Sequence, residues 1–200
     1  MDWFTSDWHL DHFKIIEYQH RPFKTAQEMN EMIINNTNAC VLKNDTLWHL
    51  GDFCFGEHQK HLEQINCRRV MLLPGSHDRG IIKARLTTRQ IMEIEIDHQL
   101  IVMCHYCLRV WPKSHYGTWH LYGHSHGHLP PEGKSWDVGV DSNKFKPLSE
   151  KEIFEIMSHR PQNINFVGTK ENRLEQNEKR QKENEHSDIG KDIRQDRCEC

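Results

Sequence analysis

The sequence predicts an α/β (α+β) fold in which two β-sheets pack face to face and helices flank them, making four layers. Three observations favour this fold class. Short apolar runs alternate with helical patterns in the first half of the chain, strand-like runs follow one another in the second half, and two helical segments open with capping-box sequences. A chain of 200 residues suits one such domain and is too short for two ordinary ones.

The strand-like segments are short, apolar and bounded by turn residues. They cover residues 3–6, 46–50, 69–73, 92–96, 100–104, 119–122 and 136–140. Apolar spacings of three and four residues predict helices over residues 13–18, 25–40, 57–66 and 149–157. The second and fourth helices have well-marked starts, because Thr25 with Glu28 and Ser149 with Glu152 can satisfy free amides of the first turn.

The end of the chain differs in composition from the rest. From about residue 168 onward its large apolar residues are Leu174, Ile189 and Ile193, at spacings that form no heptad. Such a segment cannot bury enough apolar surface to order itself alone. We expect a folded domain over residues 1–167 and, over residues 168–200, a charged tail that is disordered or a frayed helix. An oligomerisation or partner-binding segment is the alternative for the tail.

Composition excludes several classes of protein. A net charge of −3, from 26 basic and 29 acidic residues, is not that of a protein that coats nucleic acid, so any such contact must be local. The seven cysteines are odd in number and lack framework spacing, which favours a reduced, intracellular protein. The sequence shows no signal-peptide pattern and no apolar run of membrane-spanning length. We expect a soluble, cytoplasmic protein with no membrane partner.

Carboxylate and imidazole side chains follow the predicted strands. The strongest donors are Asp7, His9, Asp52, His105, His124 and His126. In sheets flanked by helices, ligands bind at the carboxyl ends of the strands. In a D-x-H or H-x-H sequence that continues a strand, an extended backbone would point both flanking side chains to the same side, so that both reach one ion. The pattern therefore predicts a metal centre.

The donor types restrict the metal. Imidazole and carboxylate without a required thiolate suit manganese, iron, nickel, cobalt or zinc, and argue against copper(I) and iron–sulfur clusters. Six donors are too many for one tetrahedral ion and few for two, unless a carboxylate bridges. The most economical arrangement is a pair of divalent ions that share Asp52.

The ligand blocks carry a resemblance to a known family. In order they read D-x-H, G-D, G-S-H-D, H and G-H-x-H, from Asp7 to His126, and they resemble the series D-x-H, G-D, G-N-H-D, H and G-H-x-H of the calcineurin-like metallophosphoesterase superfamily. The stretches HYCLRVWPKSHYGTWHLYGHSHG and DVGVDSNKFKP resemble its small, phage or bacterial single-domain members. The resemblance implies the superfamily's two-sheet fold and a dinuclear centre. It implies that the first metal is held by Asp7, His9 and His126, the second by His105 and His124, and that Asp52 bridges.

Ser76 departs from the superfamily pattern. It stands where the resemblance implies an asparagine whose amide oxygen binds the second metal. A hydroxyl is shorter and a weaker neutral donor, so we expect Ser76 to hold that metal less tightly or through water. The resemblance also implies that the neighbouring His77 faces the phosphate and protonates the leaving oxygen, and that Asp78 orients His77.

The resemblance implies hydrolysis of phosphodiesters or phosphomonoesters by a hydroxide that bridges two metal ions, with manganese the expected metal. We expect a small phosphorylated substrate that is nucleotide-like. In the loop over residues 108–119, Arg109 and His115 are the expected substrate contacts, and an ordinary amphipathic loop is the alternative. Two other functions stay open: a nuclease on single-stranded or end-processed nucleic acid, and a catalytically weak scaffold, because of Ser76. The oligomeric state has no signal in the sequence.

Overall fold

The computed structural model describes residues 1–168 as an α/β arrangement of two four-stranded sheets with helices, which confirms the predicted fold class. The strands of the first sheet, in spatial order, are β3 (Arg69–Leu72), β2 (Thr46–His49), β1 (Asp2–Thr5) and β8 (Leu148–Ser149). The first three are parallel and β8 joins β1 antiparallel. In this register Phe4 pairs with Trp48, and Trp48 pairs with Met71.

The second sheet contains, in spatial order, β4 (Ile91–Ile96), β5 (Gln99–Cys104), β6 (Trp119–Tyr122) and β7 (Ser135–Asp137). Strands β4 and β5 form an antiparallel hairpin, whereas β5, β6 and β7 are parallel. The hairpin turns through Asp97 and His98, whose φ angles are both positive, as a tight two-residue turn requires.

The described residues form α-helices α1 (Phe13–Tyr18), α2 (Ala26–Cys40), α3 (His58–Leu62), α4 (Arg79–Lys83) and α5 (Glu150–Ser158), and a 3-10 helix over Ser114–Tyr116. The capping box that begins α5 is complete, because Ser149 Oγ accepts from Glu152 N–H at 3.3 Å and Glu152 Oε2 accepts from Ser149 N–H at 2.8 Å. Only half of it forms at α2. Thr25 Oγ1 accepts from Glu28 N–H, but the Glu28 carboxylate accepts from Lys24 N–H instead of Thr25 N–H.

Two apolar clusters hold the layers together. The first joins α1, α2 and α3 to the outer face of the first sheet and includes Ile16, Met29, Ile33 and Leu47. The second lies between the sheets and also receives α5; its fully buried side chains include Phe4, Leu50, Ile101, Met103, Leu121 and Met157. On the opposite face of β6, His120 packs against Trp111 at 5.1 Å between ring centroids. The loop that carries Trp111 therefore covers that face.

Several predicted boundaries differ from the structure. The helix predicted over residues 57–66 ends at Leu62, because the chain then tightens into turns with i to i+3 bonds at Gln64 and Ile65. Helix α4 and strand β8 were not predicted, since segments of five and two residues are too short to show a period. The predicted tail lies outside the described residues, except for Gly168. Among the described residues, none of the helices combines the length and the apolar character needed to cross a membrane.

The parallel strands direct their carboxyl ends to one region of the molecule. Backbone bonds join the loops there: Asp7 N–H donates to Gly51 O at 3.0 Å, and Gly123 N–H donates to His105 O at 2.9 Å. A bridge between Ser6 and Gly139 links the first sheet to the segment that follows β7. The loops of the two sheets are thus fixed to one another where the sequence predicts the metal centre.

Candidate metal centre

The six strongest predicted donors gather into two groups. Asp7, His9 and His126 form one group, and Asp52, His105 and His124 form the other. Within each group, the potential ligand atoms lie within 4.8 Å of one another. The loops after β1, β2, β5 and β6 contribute these side chains, so both sheets build the site.

Asp52 lies between the two groups. Its Oδ2 is 3.6 Å from His9 Nε2 in the first group and 3.4 Å from His105 Nε2 in the second. Burial would raise the pKa of Asp52, but its interactions with His105, the His77 N–H and His9 outweigh burial and hold that pKa well below its usual range. Asp52 is therefore an anion that lies between the two groups.

The ligand loops have an unusual backbone. Five of the six residues in the two groups have positive φ angles between 48° and 65°: Asp7, His9, Asp52, His124 and His126. Non-glycine residues seldom adopt this left-handed conformation, and it clusters at functional sites where the surrounding structure enforces it. The extended backbone assumed for the D-x-H and H-x-H sequences is therefore wrong, although the paired side chains do converge. Sharp left-handed turns, and not strand alternation, bring them together.

Two glycines leave room for the ligand carboxylates. A Cβ atom at Gly75 would lie 2.3 Å from Asp52 Oδ1, and one at Gly123 would lie 2.4 Å from Asp7 Oδ2. Real Cβ atoms do not approach other atoms so closely. The glycines in PGSHD and YGHSHG are therefore required by the close packing of loops around the site.

Buried atoms without partners show that the site fits a cation. Among the described residues, Asp7 Oδ1, both ring nitrogens of His9 and His105 Nε2 are buried and accept or donate no hydrogen bond. Such atoms cost free energy unless something satisfies them. Burial raises the pKa of Asp7 to about 7 and lowers that of His9 to about 2, so the His9 ring is neutral and its unprotonated nitrogen can bind a metal. Imidazole and carboxylate donors left open in this way suit divalent transition metals.

Hydrogen bonds orient two of the histidines. His105 Nδ1 lies 2.8 Å from Leu50 O, and because a carbonyl can only accept, Nδ1 carries the proton and Nε2 faces Asp52. His126 Nδ1 lies 2.7 Å from Asp141 Oδ2, which leaves its Nε2 for a metal. Carboxylate and carbonyl partners of this kind fix the tautomer and ring orientation of metal-binding histidines.

Arg21 anchors this arrangement from behind. Its guanidinium donates to both oxygens of Asp141 at 2.7 Å, to Trp8 O at 2.9 Å and to Asp7 O at 2.7 Å. The buried Arg21 therefore connects Asp141 and the backbone of Asp7, a predicted ligand. Sequence reasoning missed Arg21 and Asp141, because neither lies beside a ligand block and nothing in the sequence indicates which carboxylate an arginine will meet.

Ser76 and His77 both reach the second group. Ser76 Oγ donates to Asp52 Oδ2 at 3.0 Å, so its hydroxyl lies beside the predicted bridging carboxylate. His77 N–H donates to Asp52 Oδ1 at 2.8 Å, and the exposed His77 ring lies 5.6 Å from the His9 ring. The structure thus brings both residues to the candidate centre.

Asp78 has a different task from the one that the resemblance implies. Its buried carboxylate accepts from Asp52 N–H at 2.7 Å, Phe53 N–H at 2.9 Å and Gly75 N–H at 2.8 Å. These bonds occupy both oxygens, and no contact with the His77 ring is seen among the described residues. Asp78 holds the loops after β2 and β3 together, and the orientation of His77 by Asp78 is not observed.

The two predicted substrate contacts are not brought together with the ligands. His115 lies at the amino end of β6, while His124 lies beyond its carboxyl end, so the length of the strand separates them. The His115 ring packs on Tyr116 at 3.9 Å. Arg109 is exposed and lines a cavity of about 240 Å³ with Cys107, Trp111 and Leu129. Leu129 also lines a second cavity that reaches His126, so the cavity at Arg109 adjoins the one beside the centre.

No family model matches this chain, but two proteins are similar to it over most of its length. The chain is 28% identical over 159 residues to MJ1445, an uncharacterised protein of Methanocaldococcus jannaschii, over 72% of this chain and 84% of that protein. The crystal structure of AQ665, a protein of unknown function from Aquifex aeolicus, matches with a TM-score of 0.60 and 24% identity, over 78% of this chain and 98% of that one. The two share a fold.

Two characterised proteins match more weakly. An archaeal phosphodiesterase has a TM-score of 0.42 and 23% identity, over 69% of this chain and 81% of that one. Yfce, a phosphoesterase from E. coli, has a TM-score of 0.39 and 18% identity, over 69% of this chain and 77% of that one. Scores this low support no inference about the function of the present chain.

Proposed function

We propose that this chain is a calcineurin-like metallophosphoesterase that hydrolyses phosphodiester or phosphomonoester bonds in small, nucleotide-like substrates. The observation that carries the proposal is the position of Asp52 Oδ2, 3.6 Å from His9 Nε2 and 3.4 Å from His105 Nε2, between two groups of metal-binding side chains. Two adjacent metal ions are a recurring device of phosphate-ester hydrolysis. The five ligand blocks, in superfamily order, support the same function.

The residues that would hold the metals are those of the two groups. The first ion would take Asp7, His9 and His126, the second His105 and His124, and Asp52 would contact both. Manganese is the metal we propose, and iron, nickel, cobalt and zinc are the alternatives that the donor set permits. Bound divalent ions supply Lewis-acid chemistry: they withdraw charge from phosphoryl oxygens and lower the pKa of water.

The chain's own side chains perform the remaining tasks. His77 is exposed beside the first group, so its imidazole can give a proton to the leaving oxygen of a bound ester. Its backbone N–H, bound to Asp52 Oδ1, fixes it relative to the centre. Asp78 supports the same loop by binding Gly75 N–H. Proton transfer by a positioned group of this kind accelerates reactions by roughly 10²- to 10⁴-fold.

The proposal is tested by stripping the protein of metal, reloading it with manganese, and measuring metal content and hydrolysis of bis-p-nitrophenyl phosphate and p-nitrophenyl phosphate. We expect close to two ions per chain and turnover that Asp52→Asn abolishes. Asp97→Asn is the matched control, because Asp97 lies in the exposed β4–β5 turn. If neither ester is hydrolysed with manganese, iron, nickel, cobalt or zinc, the proposed enzymatic function is overturned and the scaffold function is favoured. Cleavage of single-stranded DNA alone would favour a nuclease.

A further inference from the structure

An exposed aromatic ring borders the site beside His77. Phe55 is 46% exposed at the end of a buried run over residues 50–54, and its ring is 5.0 Å from that of His77 and 5.9 Å from that of His9. A single exposed apolar side chain is common on protein surfaces and needs no function. The position of Phe55 is distinctive because its neighbours are a predicted metal ligand and the residue proposed to protonate the leaving group.

Backbone hydrogen bonds fix the position of Phe55 next to the segment that follows β1. Phe55 N–H donates to Leu10 O at 2.9 Å, and Leu10 N–H donates to Phe53 O at 3.0 Å, so the segment that follows Asp52 pairs with the segment that follows His9. The Phe55 ring also stacks on the His12 ring, with centroids 4.0 Å apart and planes 21° apart. The Phe55–His12 stack is therefore preorganised.

Asp11 keeps His12 in place. The Asp11 carboxylate accepts from Asn30 Nδ2 at 2.7 Å and lies 2.7 Å from His61 Nε2, and Asp11 N–H donates to Asn30 Oδ1. These bonds tie the turn that contains His12 to α2 and α3. They also give the Asp11 and His61 side chains hydrogen-bond partners, so neither residue is assigned as a metal ligand.

Three distances show where His77 lies relative to the Phe55 ring. The His12–Phe55, Phe55–His77 and His12–His77 centroids are 4.0, 5.0 and 6.4 Å apart, and these lengths form a nearly right-angled triangle with the right angle at Phe55. His12 covers one face of the Phe55 ring, so His77 lies beside the ring and not on the opposite face. Among the described residues no aromatic ring packs on that opposite face, and a flat group placed on it would lie next to His77.

Tyr106 does not offer an equivalent surface. Its ring is 45% exposed and meets His105 and His124 edge-on, with planes 73° and 69° apart. It therefore borders the second group, and among the described residues no ring contact joins it to His77. A group that receives a proton from His77 would lie on the Phe55 flank.

We infer that the open face of Phe55 binds a planar aromatic leaving group, so that the preferred substrates are phosphate esters of nucleosides or of aryl alcohols. This inference rests on the proposed function, because His77 marks the leaving-group side only if it protonates the leaving oxygen. Stacking of a base on an aromatic side chain strengthens binding by about 5- to 150-fold. Phe55 thus determines specificity for the leaving group, which lies across the scissile bond from the metals.

The test measures binding to the manganese-loaded protein by calorimetry with adenosine 5′-monophosphate, phenyl phosphate and methyl phosphate. We expect the wild type to bind at least one of the two aromatic esters about 5- to 150-fold more tightly than methyl phosphate. Phe55→Leu should abolish this preference without changing the affinity for methyl phosphate, and Phe55→Trp should retain it. Tyr116→Leu is the matched control, since Tyr116 is equally exposed, at 46%, near the amino end of β6.

Adenosine 5′-monophosphate and phenyl phosphate distinguish a preference for nucleosides from a preference for aromatic leaving groups in general. A preference for adenosine monophosphate alone assigns the surface to nucleosides, and a preference for both assigns it to aromatic leaving groups in general. Equal affinities for all three ligands in the wild type, or a preference that survives in Phe55→Leu, would overturn the inference. The proposed function fails separately, by the absence of hydrolysis of any ester, because the binding preference does not depend on turnover.

Discussion

His126 Nδ1 lies 2.7 Å from Asp141 Oδ2, on the side of the imidazole ring away from the nitrogen left for a metal. Asp141 is in turn bound through both oxygens by Arg21. Burial opposes protonation of His126, but the Asp141 contact and the charge of Asp7 raise its pKa above the usual value. The first group is therefore oriented by a buried ion pair that no ligand motif contains.

Asp141→Asn should weaken metal binding to the first group. The variant removes the charge that orients His126 and leaves Arg21 without its partner, and loss of such an outer contact lowers metal affinity by about 10- to 100-fold. Chelator competition measures the affinity, and thermal unfolding of the metal-free protein separates it from loss of stability. Asp97→Asn, which removes an exposed carboxylate from a turn, is the control. Equal affinity in Asp141→Asn and wild type would contradict the assignment.

Ser76→Asn should strengthen binding of the second metal. The serine hydroxyl is 3.0 Å from Asp52 Oδ2 and donates to it, whereas an amide oxygen reaches further and is the better neutral metal ligand. Titration with manganese should show the weaker of two binding steps becoming tighter. Ser76→Ala serves as the control, because it removes the hydroxyl without adding a ligand. If Ser76→Asn leaves the titration curve unchanged, the claim that Ser76 weakens binding of the second metal is refuted.

Gly123→Ala should disturb the first group through packing alone. Its new Cβ would lie 2.1 Å from Ser6 Oγ and 2.4 Å from Asp7 Oδ2, so the loop or the carboxylate must move. We expect a loss of about 1–3 kcal/mol in unfolding free energy, together with weaker metal binding. Gly80→Ala is the matched control: its Cβ would meet nothing within 4 Å, and in helix α4 it should stabilise by up to about 1 kcal/mol. Denaturant unfolding measures the unfolding free energy of both variants. Equal values would show that the packing around Gly123 is not tight.

Metal loading should depend on pH. Burial raises the pKa of Asp7 to about 7, while Asp52 and Asp7 raise the pKa of His105 in spite of burial. Below about pH 7 the metal-free centre therefore holds a proton on Asp7 that a metal must displace, and above about pH 7 that proton is already lost. Apparent affinity should rise as pH increases through about 7, with release of protons on binding. Calorimetry in buffers of different ionisation enthalpy measures the release. An affinity that is flat across neutral pH would show that these groups are not ligands.

Asp78→Ala should act on stability and not on the proton transfer assigned to His77. The carboxylate accepts three backbone N–H bonds, and its removal leaves buried donors unpaired, at about 1–3 kcal/mol for each unsatisfied group. Chemical unfolding should show this loss. In the metal-loaded variant, the pH profile of any remaining turnover should match that of the wild type. A shifted profile with unchanged stability would instead assign Asp78 to the orientation of His77.

The sequence by itself determined the chemistry of the site. Asp7, His9, Asp52, His105, His124 and His126 were predicted as ligands from their types and from their places after strands, and the structure gathers all of them into two groups. Their meeting at one place was predictable because parallel strands bring their carboxyl ends to a common edge whatever the details of the loops. The start of α5 at Ser149 was predictable for a similar reason, since a capping box is a local interaction.

Tertiary structure alone decided how those residues are held. The left-handed turns at Asp7 and His124 are imposed by contacts between loops, and single-residue conformations of this kind follow from no periodicity. Arg21 and Asp141 are 120 positions apart in the chain, and which buried charges meet depends on packing across the whole domain. The same is true of Phe55, whose open face is defined by a histidine stacked beneath it. Residue type sets the reactions that a site can support, and long-range packing sets its geometry.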